Sequence, residues 1–530
     1  MNKKVLLLVI ITMILSSKVF ANTLNTIIIK DDAQILFNEN EQPVLKRNTL
    51  LVPAKKLLEE FGFEYVENNQ SIIGIKDDKI LTFPVNQRLI KVNNDFFMTP
   101  EENQFINDQL YVPLGTFVEL NGHVLKRDTE GQSLTIDTIS ENNNEIEQSR
   151  YVIPKHFVEL DGTKYTLEKI EDDLYQITNH YKGITSLEII GESYEGRPLY
   201  VIKLGVPSEK KKPSILIISN IHGREDFSSM LNMKMMDYML YSFYDTGKWG
   251  EYNIKDILTK LDIYLLPVAN PDGLNIAHNG IKASRNYDFL KTITNVAGND
   301  AWWKANGRGV DLNRNFDDGN WKIKNAGTDT KWYSSEGFKG ESPNSEPETK
   351  AIQKFCESVK PLMAVSLHTS GNLFYWADTD THSKFDGIDT EIMDRMHNLT
   401  GYRNMPISTN PKEFGSGFEN WFKVRFYRFA FVAELSPMTS QRFIQHPDSK
   451  FEALVWNKAK FIAPQLALEA LRYKDRFYDV YQGDRLLKTF YSKEKAIECA
   501  KKWKNSTIIK NDEIIWNFNS DNEAGETNTL

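Results

Sequence analysis

The sequence predicts an α/β protein in three parts. A mixed, mostly parallel sheet flanked by helices is expected over residues 160–470. A small α+β repeat domain precedes it over residues 24–138, and a small β-α-β module follows over 475–518. Three observations carry this reading. Residues 160–470 alternate helix-like and strand-like patterns, as they do where helices cover a sheet. Three apolar, strand-like runs within that stretch each lead into a histidine or a glutamate: Ser214–Ser219, Leu362–Leu367 and Phe429–Val432. Residues 24–138 repeat one pattern after about sixty residues.

The repeat justifies the first part. Asn48-Thr-Leu-Leu-Val-Pro53 is followed by a helical pattern from Ala54 to Phe61, then Gly62, then strand-like residues to Ile75. Asp108-Gln-Leu-Tyr-Val-Pro113 is followed by Leu114 to Leu120, then Gly122, then strand-like residues to Ile136. Proline suits the first helical turn, where its missing N–H would have no partner anyway. The polar run Glu141–Glu147 marks residues 139–159 as a linker. In the third part, Arg476–Tyr491 reads as a hairpin around Gln482-Gly-Asp484. Ser492 caps an amphipathic helix to Trp503, and Ser506–Trp516 reads as a strand pair. Residues 519–530 are polar and expected to be disordered.

Composition narrows the function. The chain has 530 residues, 41% hydrophobic and 26% charged, enough for two or three globular domains. A formal net charge of −8 gives no basic footprint for nucleic acid. Lys3-Lys4, the apolar Val5–Leu15 and Val19-Phe-Ala21 form a secretory signal over residues 1–21, which implies a secreted or cell-wall-associated bacterial protein. An uncleaved anchor is the alternative, but the apolar stretch is short for a span, and no later segment is long enough. Cys356 and Cys499 fall in different parts, each within a helical pattern, so no disulfide framework is expected.

The strand-end residues carry the chemistry. Ile221-His-Gly-Arg-Glu225 offers His222 and Glu225, Ser366-Leu-His-Thr-Ser370 offers His368, and Ala433-Glu-Leu435 offers Glu434. Carboxyl ends of strands in an open α/β sheet converge on one crevice. A catalytic zinc takes three protein ligands and keeps one position open. His222, Glu225 and His368 supply the three, which leaves Glu434 as a base. A lone His-x-x-Glu is common by chance; the placement at strand ends and the motifs between them set this one apart.

Those motifs resemble the zinc metallocarboxypeptidase family, typified by pancreatic carboxypeptidase A. They are Asn270-Pro-Asp-Gly273, Gly309-Val-Asp-Leu-Asn-Arg-Asn-Phe316, Ser345-Glu-Pro-Glu-Thr349 and Ser366-Leu-His-Thr-Ser-Gly371, in that order after Ile221–Glu225. The likeness is greatest to a bacterial branch that includes γ-D-glutamyl-diamino acid peptidases of the cell wall. It implies a carboxypeptidase-like fold and one Zn2+ per chain on His222, Glu225 and His368. It implies Glu434 as general base and Arg314, with Asn313 beside it, as the clamp for a terminal carboxylate. A guanidinium binds a carboxylate bidentately and so fixes direction as well as charge. The first part resembles the copper amine oxidase-like N-terminal domain, although His123 is its only histidine.

Two positions depart from the family pattern. Its carbonyl-polarising arginine follows a tryptophan; here Trp302-Trp303 precedes Lys304, with Arg308 a turn later, and either cation could help hold an oxyanion. Its mobile tyrosine falls near Lys412, counting back from Trp421 in Phe414-Gly-Ser-Gly-Phe-Glu-Asn-Trp421. In that segment Glu419 falls at the family's side-chain pocket, where a buried carboxylate would favour a substrate bearing an amino or guanidinium group. The other reading of Glu419 is an exposed helix residue.

The expected function is therefore hydrolysis of a peptide or γ-D-glutamyl amide next to a free carboxylate, in cell-wall stem peptides. The alternatives are a carboxypeptidase on ordinary peptides with basic C-termini, a deacylase of another amide, and a catalytically silent wall-binding protein of the same fold. The N-terminal domain would tether the enzyme to the wall, inhibit it, or act as a spacer.

Overall fold

The computed structural model describes residues 22–518 without 24–26, 31–32, 39–40, 48, 69, 94, 128–132, 139–151, 294–299, 325–329, 440–444 and 512. The expected leader, the linker up to residue 151 and the polar tail lie outside the described residues. The chain forms two compact units, Met1–Tyr151 and Val152–Leu530.

Among the described residues, the first unit has a nine-stranded and a four-stranded sheet with two short helices. The two repeats are plain in it. The strand Thr49–Pro53 runs into the helix Ala54–Glu60, and Gln109–Pro113 into Leu114–Leu120. Each proline is the last extended residue before the helix rather than a residue of its first turn. Each helix buries three apolar residues, Ala54, Leu57 and Leu58 in one and Leu114, Phe117 and Val118 in the other. Gly62 and Gly122, at φ 73° and 74°, turn the chain just beyond each helix, in a conformation that strains other residues. The equivalent strands pair with each other, Val52 opposite Val112. Between the repeats Lys79–Pro84, Gln87–Val92 and Asp95–Ile106 extend the sheet as a meander, to which the sequence reading assigned no element.

The second unit holds an eight-stranded mixed sheet: β1 (Thr185–Glu192), β2 (Pro198–Leu204), β3 (Ser214–Ser219), β4 (Asp262–Leu266), β5 (Met363–Thr369), β6 (Leu373–Tyr375), β7 (Arg403–Asn404) and β8 (Ala430–Leu435). Their order across the sheet is β1-β2-β4-β3-β5-β8-β6-β7. The four central strands β4, β3, β5 and β8 are parallel. All six residues of β3 are buried, so its sequence is a continuous apolar run instead of an alternation. Helices α1 (Leu167–His180), α2 (Asp226–Tyr244), α3 (Pro347–Val359), α4 (Phe418–Phe426) and α5 (Ile462–Tyr473) belong to this unit. One face of the sheet packs Leu216, Ile218, Phe355, Phe418 and Phe422 into a common core.

One boundary differs from the sequence reading. The expected linker ends at residue 151, because the segment after it packs on α2. There the buried Asp237 accepts from the Phe157 N–H at 3.0 Å and lies 2.7 Å from His156 Nδ1. The C-terminal module has the hairpin, helix and strand pair that its sequence suggested: Tyr478–Gln482 with Arg485–Phe490, the helix Lys493–Ala500, and Ser506–Lys510 with Glu513–Phe518. Ser492 caps that helix by accepting from the Lys495 N–H, as its sequence suggested. Leu486 of the module lies in the central core beside Phe422 and Phe426. The buried Arg428 donates to Asp479 and Thr489 of the module. Cys356 and Cys499 are both free thiols.

Candidate metal centre and its cleft

The parallel trio β3, β5 and β8 builds the site. The chain leaves β3 at Ser219, places His222 in the following loop and enters α2 at Glu225. His368 and Glu434 sit opposite each other on β5 and β8. Gly223 is a glycine for a steric reason: a Cβ there would stand 2.3 Å from the Gly273 carbonyl. Its N–H donates to the Lys304 carbonyl at 3.0 Å, which ties the metal loop to the Lys304 segment.

His222 Nδ1 lies 2.9 Å from Glu225 Oε1, His368 Nδ1 lies 2.9 Å from Glu225 Oε2, and the two Nδ1 atoms are 3.1 Å apart. Ligands at about 2.0–2.2 Å from a tetrahedral zinc stand roughly 3.3 Å from one another, so these three side chains converge as one cation requires. The outer nitrogens are held: His222 Nε2 is 3.1 Å from Asp311 Oδ1, and His368 Nε2 is 2.9 Å from Ser366 Oγ. With each Nε2–H donating outward, both Nδ1 lone pairs face the centre. Among the described residues, this is the group of histidine and carboxylate side chains able to hold a metal ion. A zinc ion on His222, Glu225 and His368 supplies a Lewis acid that polarises a carbonyl and acidifies water.

Charge is distributed to match. Burial pushes the Glu225 carboxyl up, but its contacts with His222 and His368 outweigh it and hold it well below the usual range. Asp311 is also held well below it, with Arg314, His222 and Lys304 overcoming burial. Glu434 goes the other way. Burial, with Glu225 and Glu419 adding, pushes it up to about 7 against the pull of His368 and Lys304. Its carboxylate makes no hydrogen bond among the described residues and lines the cleft. A carboxyl tuned toward neutrality is suited to take and return a proton.

The two candidate cations separate. Lys304 lines the cleft with Glu225 and Glu434, and its ammonium has no hydrogen bond or ion pair among the described residues. Arg308 is turned away. It donates to the Tyr333 hydroxyl at 2.7 Å and to Glu346 at 3.4 Å, so the expectation that it could serve the oxyanion is corrected. Those carboxylate and phenol partners hold the guanidinium outside the cleft. Lys412 is exposed on the short helix Pro411–Phe414, and that segment brings no tyrosine to the site.

The residues expected to clamp a carboxylate are linked to the metal centre. Arg314 Nη1 donates to Asp311 Oδ2 at 2.7 Å, while Asp311 Oδ1 faces His222. Asn313 Oδ1 accepts from the Phe418 N–H at 2.9 Å, so the first residue of α4 fixes the asparagine. Glu419 follows on α4 and is 9% exposed, which overturns its reading as an exposed helix residue. Its Oε2 is buried without a hydrogen-bond partner, and burial, opposed by Lys423, raises its carboxyl. Lys423 cannot neutralise it fully, because its ammonium is bonded to the buried Asp378. Lys324 adds only a weaker attraction to Glu419.

Sequence reasoning missed Asp311, Ser366 and Arg224. Asp311 stood in the motif that supplied Arg314, and Ser366 shares a strand face with His368. Among the aromatics of the loop segment, Trp303 and Tyr333 are buried in a loop core, Trp332 is exposed, and Trp302 stacks on Arg224.

With this geometry, residues 170–457 match the zinc carboxypeptidase family, and the chain belongs to it. Residues 31–136 match the copper amine oxidase N-terminal domain. The chain is 24% identical over 368 residues to the uncharacterized protein YqgT of Bacillus subtilis, covering 67% of this chain and 89% of that protein. It is 32% identical over 216 residues to human carboxypeptidase A1, 41% of this chain and 46% of that one. It spans about 63% of mouse carboxypeptidase A4, at 28% identity and 52% of its own length. Among solved structures, thrombin activatable fibrinolysis inhibitor aligns at a TM-score of 0.47 and 19% identity, over 69% of this chain and 88% of that one. The murein-tripeptide amidase MpaA of Escherichia coli O157 aligns at 0.32 and 20%, over 53% and 91%.

Proposed function

We propose that this chain is an exported carboxypeptidase that releases a residue carrying a free carboxylate and a side-chain amino group, the diamino acid held by a γ-D-glutamyl amide in cell-wall stem peptides. The observation that carries the reading is Glu419: a buried carboxylate with an unpartnered oxygen, beside the clamp, whose neighbouring Lys423 ammonium is bonded to Asp378. A substrate ammonium would pair with that oxygen. Asn313 and Arg314 orient the terminal carboxylate. Lys304 presents a free ammonium to the carbonyl oxygen as charge develops there. Glu434 takes a proton from the attacking water as the new C–O bond forms, and delivers it to the nitrogen as the C–N bond breaks.

The leader-like residues 1–21 and the N-terminal domain support export and a wall tether. The second reading, release of lysine or arginine from ordinary peptides, is favoured by the same Glu419. The test offers a γ-D-glutamyl-diaminopimelate stem peptide and ordinary peptides ending in Lys, Arg or Leu, with and without chelator. Chelator-sensitive cleavage of the stem peptide alone supports the first reading, and cleavage of basic C-termini the second. Cleavage of neither, with zinc bound, sinks both. Glu419→Gln is expected to cut the preference for Lys over Leu on the order of 100-fold, since one partner of a buried ion pair is lost. An unchanged preference would remove Glu419 from the pocket.

A further inference from the structure

Lys304 sits on a loop that rests on buried acids. The turn after it is folded around Asn306, which is fully buried. The Asn306 N–H donates to the Val310 carbonyl at 2.9 Å, and its own carbonyl accepts from the Gly309 N–H at 3.0 Å. Its side-chain oxygen accepts from the Arg308 and Val310 N–H groups at 3.0 and 3.1 Å. Its amide nitrogen reaches two acids of α3: it donates to Glu346 Oε2 at 2.9 Å and to Glu348 Oε2 at 3.3 Å. The next residue meets two more. A Cβ on Gly307 would stand 2.8 Å from Asp272 Oδ2 and 2.8 Å from Glu195 Oε1.

These four carboxyl groups are buried, those of Asp272, Glu346 and Glu348 completely. Arg197 donates to Glu195 and to Asp272 at 2.6 Å each, and Arg308 to Glu346 at 3.4 Å. Arg285 reaches the Glu195 carbonyl rather than a carboxylate. Glu348 receives the Tyr194 N–H at 3.0 Å and makes no ion pair among the described residues. Carboxylates crowded in this way do not all ionise together, and the one without an ion pair is the one that keeps a proton. Burial, with Asp272 adding its charge, raises Glu348 to about 8 against the pull of the Tyr194 N–H.

The other side of Lys304 is pinned through its backbone. The Lys304 and Ala305 N–H groups donate to the Ser335 carbonyl at 3.0 and 2.9 Å. The Lys304 carbonyl accepts from the Gly223 N–H at 3.0 Å and from the Asn270 side chain at 3.3 Å. We infer that the buried Glu348 carboxyl is a positioning residue for Lys304, acting through Asn306 on the loop that presents the ammonium to the scissile carbonyl. Protonated, Glu348 shares the Asn306 amide with Glu346 without repulsion. Ionised, it sets a second negative charge beside Glu346 on that amide, with Asp272 close by, and the loop shifts on its seat. This rests on the carboxypeptidase reading above, in which Lys304 faces the developing oxyanion.

The test follows kcat of the zinc-loaded protein on its cleaved substrate from pH 7 to 9, beside Glu348→Gln and Lys304→Met. Glutamine keeps the uncharged shape of the protonated acid. A group titrating at about 8 loses roughly nine-tenths of its protonated form over this range, so kcat of the unaltered protein is expected to fall about tenfold further than that of Glu348→Gln. Lys304→Met is expected to lower kcat at pH 7 by about 10²-fold and to lose the same alkaline fall, since no ammonium is left to place. An alkaline fall that either variant retains overturns the inference. A Tm curve that flattens in Glu348→Gln while the fall in kcat persists would make Glu348 a group of stability alone. Should Glu348→Gln not fold, the Lys304→Met profile decides. Unaltered kcat in Lys304→Met would refute the role of Lys304 itself, and no cleavage by the zinc-loaded protein would refute the carboxypeptidase reading.

Discussion

Asp311→Asn tests whether one carboxylate couples the metal centre to the substrate clamp. The side chain faces His222 Nε2 at 3.1 Å through one oxygen and Arg314 Nη1 at 2.7 Å through the other, and the Gly337 N–H at 3.2 Å. Asparagine keeps the shape but has a single acceptor oxygen. Its amide NH2 must face either His222 or Arg314, donor against donor. On the metal side, losing the partner of a ligating histidine costs about 10–100-fold in affinity, about 1.4–2.7 kcal/mol. On the clamp side, a hydrogen bond to a charged group is worth about 1.5–3 kcal/mol, so KM for a substrate with a free carboxylate should rise by roughly tenfold. Competition with a chromophoric chelator gives the zinc dissociation constant, and steady-state kinetics on an acid substrate and its C-terminal amide give the clamp. Zinc affinity and acid-over-amide preference are expected to fall in the same variant. If both stay within about twofold of the unaltered protein, a range that ordinary measurement scatter covers, Asp311 is packing and no coupling exists.

Three other outcomes follow from the structure. Glu434→Gln should lower kcat/KM by about 10²–10⁴ while metal analysis still finds one zinc per chain; loss of zinc would make Glu434 a ligand. Burial, with Asp272 adding its charge, pushes the Glu348 carboxyl from an ordinary 4.5 up to about 8. The fold therefore favours the protonated acid, with no penalty below pH 4.5 and a growing one up to about pH 8. Glu348→Gln should flatten the fall in Tm over that window, and parallel Tm curves would refute the shift. Gly223→Ala should cost about 1–3 kcal/mol or more and loosen zinc, because the new methyl meets the Gly273 carbonyl; unchanged melting and zinc content would show that the loop yields freely.

Much of the site was legible because strand ends are legible. His222, Glu225, His368 and Glu434 each follow or end an apolar run, and parallel order brings such ends together whatever the loops do. The choice between Lys304 and Arg308 was not legible. Both are cations one turn apart near a tryptophan, and only the burial of Glu346 and the placing of Tyr333 turn Arg308 away. Asp311 was hidden for a related reason: its function comes from a side chain 89 residues away, which no local pattern reports. The meander of residues 79–106 escaped because its strands lack the helix that punctuates each repeat.

The module beyond residue 475 changes what counts as the enzyme. Arg425 of α4 donates to the carbonyls of Leu486 and Leu487 at 3.0 and 3.2 Å, and Leu486 packs in the core beneath the same helix. The other end of α4 carries the Phe418 N–H that fixes Asn313, and Glu419. A chain cut at the family boundary of residue 457 would lose the floor on which the helix carrying Glu419 rests. Altering this module would thus be a way to shift the proposed preference for the released residue without touching a single residue of the cleft.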